Sequence, residues 1–87
     1  MYEVTLIEEA EFDLTQLSKP IAQRILKKLH WLADNFNIVL PEPLKGQWQG
    51  LYKLRVGDYR VIYDFCEDEK IITVYVIKHR REVYKTK

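Results

Sequence analysis

Cysteine, glycine and proline are scarce in this chain of 87 residues, and their scarcity excludes several classes of protein. The sequence has one cysteine, Cys66, with three glycines and three prolines. A single thiol cannot close an internal disulfide or build a cysteine-based metal cluster. A content of 47% hydrophobic residues with so little glycine and proline is typical of an ordered globule. We therefore predict one domain over residues 1–87, with no metal or other cofactor.

Long apolar runs and a secretion signal are also missing. Residues 1–10 alternate in polarity and include acids, whereas a signal peptide has a basic start followed by an apolar segment. No run approaches the roughly 20 apolar residues of a membrane-spanning helix. The sequence predicts a cytoplasmic protein without membrane contact.

A strong net charge is absent too, because 14 cations stand against 13 anions, for a net charge of +1. That balance alone is unusual for a nucleic-acid-binding domain. The charges are nevertheless unevenly distributed. Residues 1–44 have a net charge of −3, and residues 45–87 have a net charge of +4. The second half of the chain is where an anionic partner is expected.

The pattern of apolar residues predicts two helices and four strands. Period-two alternation at residues 2–7 indicates a strand, and the acids that follow favour a helix start over residues 8–18. Pro20 stands early in a second amphipathic helix that runs to about residue 36. Three further strands are predicted at residues 51–56, 59–66 and 70–78. The predicted fold is a small α+β domain of order βααβββ, an antiparallel sheet with the two N-terminal helices on one face and the other face open.

Residues 51–63, LYKLRVGDYRVIY, predict a tight hairpin that places cations opposite one another. If Gly57 and Asp58 form a two-residue turn, Arg55 pairs with Arg60 and Lys53 lies on the same face. Like charges directly opposite destabilise a ladder, so the pattern indicates that an anion such as a phosphate belongs there. The alternative is a solvated sheet face without a ligand.

Two motifs, YKLRVGDYRVIY at residues 52–63 and HRREVY at residues 79–84, resemble those of the RelE-like toxins of type II toxin–antitoxin systems, in the RelE/ParE superfamily. The resemblance implies an endoribonuclease that cleaves messenger RNA in the ribosomal A site. It also implies a co-encoded RelB-like antitoxin as partner, and operator DNA as a candidate partner through that antitoxin. The alternatives are a ParE-like, non-catalytic inhibitor of DNA gyrase and a degenerate, inactive toxin.

The resemblance also assigns the active-site residues. Cleavage by the 2′-hydroxyl of RNA needs a base, an acid and stabilisation of charge at phosphorus. The catalytic candidates are Lys53, Arg55, Arg60, His79, Arg80 and Tyr84, and the RNA-binding candidates are Lys53, Arg55, Arg60, Arg81 and Tyr84.

The chemistry of each side chain limits the role that it can have in this reaction. Arginine can hold two phosphate oxygens at once but is effectively never deprotonated, which excludes Arg55 as the base. Tyr84 offers a flat ring on which a base can stack. The proton transfers remain open between Lys53, His79 and Arg80.

The second predicted helix has a tryptophan on its polar side, which indicates a contact with another group. Trp31 lies away from the apolar stripe, on the side that carries Arg24 and Lys28. We predict that these three residues contact the antitoxin. The alternative is that Trp31 packs on a neighbouring loop.

Overall fold

The computed structural model describes the backbone of residues 1–85 and the side chains of residues 1–83. The regular elements are β1 (Glu3–Leu6), α1 (Glu8–Thr15), α2 (Lys19–Asp34), β2 (Glu42–Pro43), β3 (Tyr52–Val56), β4 (Tyr59–Cys66), β5 (Ile71–His79) and α3 (Arg80–Lys85), with single 3₁₀ turns at Phe36–Ile38 and Gly46–Trp48. The predicted α+β class and the two N-terminal helices are confirmed. The short elements β2 and α3 were not predicted. No helix within residues 1–85 is long and apolar enough to cross a membrane.

The five strands form one mixed sheet in the order β1-β5-β4-β3-β2. In one respect the prediction of an antiparallel sheet is corrected, because β1 pairs in parallel with β5, with Glu3 opposite Ile71. Tight turns fix β3, β4 and β5 as antiparallel neighbours, but the link from β1 to β3 passes through both helices. Such a long helical connection can return the chain in the parallel direction.

The hydrophobic core lies between the helices and the inner face of the sheet, which we define as the face carrying Val61, Tyr63 and Ile77. The apolar stripe of α2 presents Ile25 and Leu29, at most 1% exposed, to this face. Burial of one such side chain contributes roughly 1.5–3 kcal/mol. Packing against the sheet therefore stabilises α2 far more than its own helix propensity does.

The hairpin between β3 and β4 has the predicted register. Arg55 lies opposite Arg60, and Val56 lies opposite Tyr59. Gly57 has a φ of 59°, which fits the first position of a two-residue hairpin turn of type II′. Alternation therefore places Lys53, Arg55, Arg60 and Ile62 on the side away from the core, which we call the outer face.

The outer face is partly covered rather than open. Ile62 projects there and is fully buried, and Val83 of α3 is 3% exposed. Because α1 and α2 occupy the inner side and α3 contacts β4 and β5, the C-terminal helix is the element that shields this part of the sheet. It does so beside the paired arginines.

Asp13 of α1 binds the free edge of β5. β1 pairs with β5 only as far as Val74. Beyond that residue, the backbone N–H groups on this edge of β5 have no neighbouring strand within the described chain to accept their hydrogen bonds. The Asp13 carboxylate accepts a hydrogen bond from the Ile77 N–H at 3.1 Å and one from Lys78 Nζ at 2.8 Å. This contact satisfies a backbone donor that the sheet leaves unpaired.

Candidate functional site

The outer face brings three of the predicted catalytic cations together. Lys53 and Arg55 project from β3, and Arg60 projects from β4 directly opposite Arg55. Lys53 Nζ lies 3.6 Å from Glu42 Oε2 across the β2–β3 pair. Arg55 is exposed and is in no salt bridge among the described side chains. The face therefore offers an accessible guanidinium beside an ion-paired lysine.

Arg60 is held inside the protein. It is 5% exposed, and its Nη1 donates to the carbonyl oxygens of Gly57 at 3.1 Å and Tyr59 at 3.0 Å. Its buried Nε has no hydrogen-bond partner among the described residues. A buried donor left unpaired is costly, so Nε is a locally unfavourable feature of this side chain. Arg60 differs from Arg55 in being fixed and shielded.

His79 and Arg81 lie apart from these cations. His79 pairs with Tyr59, an inner-face residue, and the two rings meet edge to face with centroids 5.3 Å apart. The Nδ1 of His79 accepts the Arg81 N–H at 3.2 Å, which leaves Nε2 as the nitrogen that can exchange a proton with a ligand. Both residues line a cavity of about 550 Å³ between α1 and the start of α3, together with Phe12, Asp13, Gln16, Leu17, Tyr59, Ile77, Lys78 and Glu82.

The remaining two tail candidates belong to α3. Arg80 is exposed, and its backbone N–H donates to the carbonyl oxygen of Asp58 at 2.8 Å. That bond ties the start of α3 to the hairpin turn. The side chain of Tyr84 lies outside the described residues, so its predicted roles in stacking and catalysis stay predictions.

The three residues predicted to contact an antitoxin form one surface with part of the hairpin. We call this surface the basic groove; it has a volume of about 440 Å³ and is lined by Arg24, Lys27, Lys28, Trp31, Arg55, Val56 and Gly57. Trp31 is 44% exposed, and Lys28 Nζ lies 4.1 Å from the centre of its ring. Arg55 therefore belongs to both the outer face and the groove.

Sequence reasoning missed Asp13, Lys78 and Lys27. Asp13 is one of several acids in the first helix, and its contact with Ile77 joins residues 64 positions apart, so no local pattern reveals it. Lys27 has a detectable signal, because it stands on the same polar side of the helix as Arg24 and Trp31. Among the described side chains, no group of three or more histidine, cysteine, aspartate or glutamate residues could hold a metal ion.

The fold corresponds to a known class, the toxins of type II toxin–antitoxin systems. A family model described as the ParE toxin of the type II toxin–antitoxin system parDE matches residues 4–84. Because the match spans nearly the whole chain, the protein belongs to this family, within the RelE/ParE superfamily.

The chain is also similar to known RelE toxins. The toxin RelE of Mycobacterium tuberculosis is 29% identical over 84 residues, which cover 97% of this chain and 87% of that protein. The archaeal RelE in the RelE–RelB complex of Pyrococcus horikoshii is 28% identical, with a TM-score of 0.68 over 91% of this chain and 94% of that one. The fold is also shared with a chain of the M. tuberculosis toxin–antitoxin complex RelBE2, with a TM-score of 0.80 and 22% identity over 91% and 98% of the two chains.

Proposed function

We propose that this toxin is a ribosome-dependent endoribonuclease that inhibits translation by cleaving messenger RNA in the A site. The observation that carries the proposal is the cross-strand pair of Arg55 and Arg60 on the outer face, with Lys53 beside it. Opposed cations are unfavourable without a counter-ion, and a phosphodiester supplies one. The similarity to RelE toxins supports RNA as the source of that phosphate.

The two arginines suit different parts of the reaction. Arg55 is exposed and can hold the scissile phosphate through two oxygens. Arg60 is fixed by two carbonyl groups directly opposite Arg55, which suits a preorganised positive charge near the charge that develops at phosphorus. We propose that stabilisation of this charge is the main source of catalysis.

The position of each candidate supports a proposal for the base. Lys53 lies on the outer face with both arginines, whereas His79 points into the cavity beside α1. This geometry favours Lys53 over His79 as the group near the attacking 2′-hydroxyl. Arg80, at the start of α3, and Tyr84 complete the proposed site from the C-terminal tail, and Arg81 is proposed to contact RNA.

We propose a co-encoded RelB-like antitoxin as the partner that holds the toxin inactive in the cytoplasm. The similar chains from P. horikoshii and M. tuberculosis are parts of RelE–RelB and RelBE2 complexes, which supports such a partner here. The ribosome and messenger RNA are the proposed targets, and operator DNA is a proposed partner through the antitoxin.

Cleavage on programmed ribosomes tests the function. The purified protein should cut messenger RNA in the A site, and Arg55→Ala should slow cleavage about 100-fold, the loss typical of removing one donor to a developing charge. Lys19→Ala, which removes an exposed cation at the start of α2, is the matched control and should cleave normally.

Two other outcomes would contradict the proposal. Intact RNA combined with inhibition of DNA gyrase supercoiling would identify a ParE-like inhibitor. If expression of the unchanged protein without an antitoxin leaves growth unaffected, and ribosomes leave the RNA intact, the protein is a degenerate toxin.

A further inference from the structure

The basic groove runs along the open edge of the sheet. β2 pairs with β3 at Tyr52 and Lys53, so the edge at residues 54–56 has no strand beside it within the described chain. The polar side of α2 forms the opposite wall and approaches the hairpin closely, since Arg24 Nη2 lies 3.1 Å from the position that a Cβ on Gly57 would take. The groove thus begins where the outer face ends, at Arg55.

The groove concentrates positive charge without any acid in its lining. Four of its seven lining residues are cations: Arg24, Lys27, Lys28 and Arg55. The salt bridges among the described side chains join Lys53 to Glu42 and Lys78 to Asp13, so none of the groove cations is neutralised by one. Clustered like charges raise the local potential and attract a polyanion.

The spacing of the groove residues suits a single-stranded nucleic acid. Arg24, Lys27 and Trp31 follow one another over about 10 Å of helix axis, at 1.5 Å per residue. A cationic groove that follows the backbone, with an exposed aromatic ring on which a base can stack, is how proteins bind single strands without sequence preference. Lysine is depleted at protein–protein interfaces, and the groove contains two lysines.

We propose that the basic groove binds single-stranded RNA, the part of the messenger strand that continues from the phosphate held at Arg55. The phosphates contact Arg24, Lys27 and Lys28, and a base stacks on Trp31. The identity of the strand rests on the proposed function, whereas binding of RNA by the groove does not depend on cleavage. The antitoxin contact that the sequence predicts for Trp31, Arg24 and Lys28 stays a prediction, and it is the alternative to RNA at this surface.

Binding to an uncleavable RNA tests the proposal. A labelled 2′-O-methyl oligouridine has no free 2′-hydroxyl, and its affinity is measured by fluorescence anisotropy over a range of salt concentrations. Lys27→Gln/Lys28→Gln removes two cations that bind phosphates, so the slope of log affinity against log salt should fall by about 1.4. That change is equivalent to about 25-fold weaker binding at 0.1 M salt if the affinities converge near 1 M.

A matched control removes the same charge elsewhere. Lys19→Gln/Lys45→Gln also eliminates two exposed lysines, and we expect its salt slope to equal that of the unchanged protein. Circular dichroism and the urea midpoint establish that both double variants fold. If both pairs of substitutions weaken RNA binding equally, the effect is one of net charge only, and the proposal that the groove binds RNA is wrong.

Stacking on Trp31 has its own measurement. In Trp48→Phe, Trp31 is the remaining tryptophan of the chain, and RNA binding should quench its emission. Tight binding with unchanged emission would refute the stacking.

An acidic polypeptide is the competing ligand, and polyglutamate is the probe for it. If Lys27→Gln/Lys28→Gln weakens binding of polyglutamate but not of the oligouridine, the groove is a protein-docking site and the proposal is wrong. Failure of this inference is distinguishable from failure of the proposed function, because ribosomal cleavage is assayed separately and can persist without groove binding.

Discussion

Replacement of Asp13 by alanine should destabilise the protein strongly, because this carboxylate is the acceptor at the free edge of β5. Its removal leaves the Ile77 N–H buried without its acceptor, which costs about 1–3 kcal/mol. Loss of the ion pair with Lys78, whose side chain is 43% exposed, adds only about 0.2–1 kcal/mol because solvent screens it. We expect a decrease of about 2–3 kcal/mol in the free energy of unfolding.

Urea denaturation followed by circular dichroism measures this decrease. With a dependence of about 1–1.5 kcal/mol per molar urea for a domain of this size, the midpoint should fall by about 2 M. Asp13→Asn keeps an oxygen that accepts the Ile77 N–H and gives up only the charge, so it should cost about 1 kcal/mol or less.

Asp34 provides the control, because it is an exposed carboxylate at the end of α2. Asp34→Ala removes the same charge and should change the free energy of unfolding by less than about 0.5 kcal/mol. If Asp13→Ala is no more destabilising than Asp34→Ala, or if Asp13→Asn is as harmful as Asp13→Ala, the hydrogen bond to Ile77 does not stabilise the fold as argued.

Three further predictions concern the sheet. Burial, followed by the charges of Tyr52 and Glu42, raises the pKa of Tyr63 to about 12. Above pH 10 the folded state therefore retains a proton that the unfolded state loses. The free energy of unfolding should consequently fall by about 1.4 kcal/mol per pH unit between about pH 10 and 12. Tyr63→Phe should lack this part of the alkaline destabilisation in urea midpoints taken below and above pH 10, and an unchanged pH profile would contradict the assignment. Gly57→Ala should lower the free energy of unfolding by about 1–2 kcal/mol because φ is 59° there. Asp58→Ala should lower it by less, and thermal melts of both variants measure the difference. Arg55→Gln should raise stability by a few tenths to about 1 kcal/mol at low salt by removing the charge opposite Arg60, and a gain that persists undiminished at high salt would exclude electrostatics as its cause.

The sequence predicted those parts of the structure that short-range geometry fixes. A two-residue turn sets the register of its hairpin, so the pairing of Arg55 with Arg60 followed from Gly57 and Asp58 alone. The apolar stripe of α2 likewise identified Ile25 and Leu29 as core residues. These features depend on residues close together in the chain.

The features that were not predicted depend on long-range packing. The parallel pairing of β1 with β5 and the contact of Asp13 with Ile77 join segments more than 60 residues apart. The helix α3 spans six residues, too few for a periodic pattern to appear. The sequence therefore predicted the cross-strand pairing of Arg55 with Arg60, whereas the position of His79 on the opposite side required the structure.

The place of β5 between β1 and β4 also determines when the protein can fold. β1 is synthesised well before residues 71–74, with which it pairs. A growing chain that ends before β5 has the cationic hairpin but no strand to join it to β1. The sheet therefore closes only after β5 has been synthesised, and such long-range pairings form slowly. A truncated nascent chain should consequently lack the folded domain on which the proposed toxic site depends.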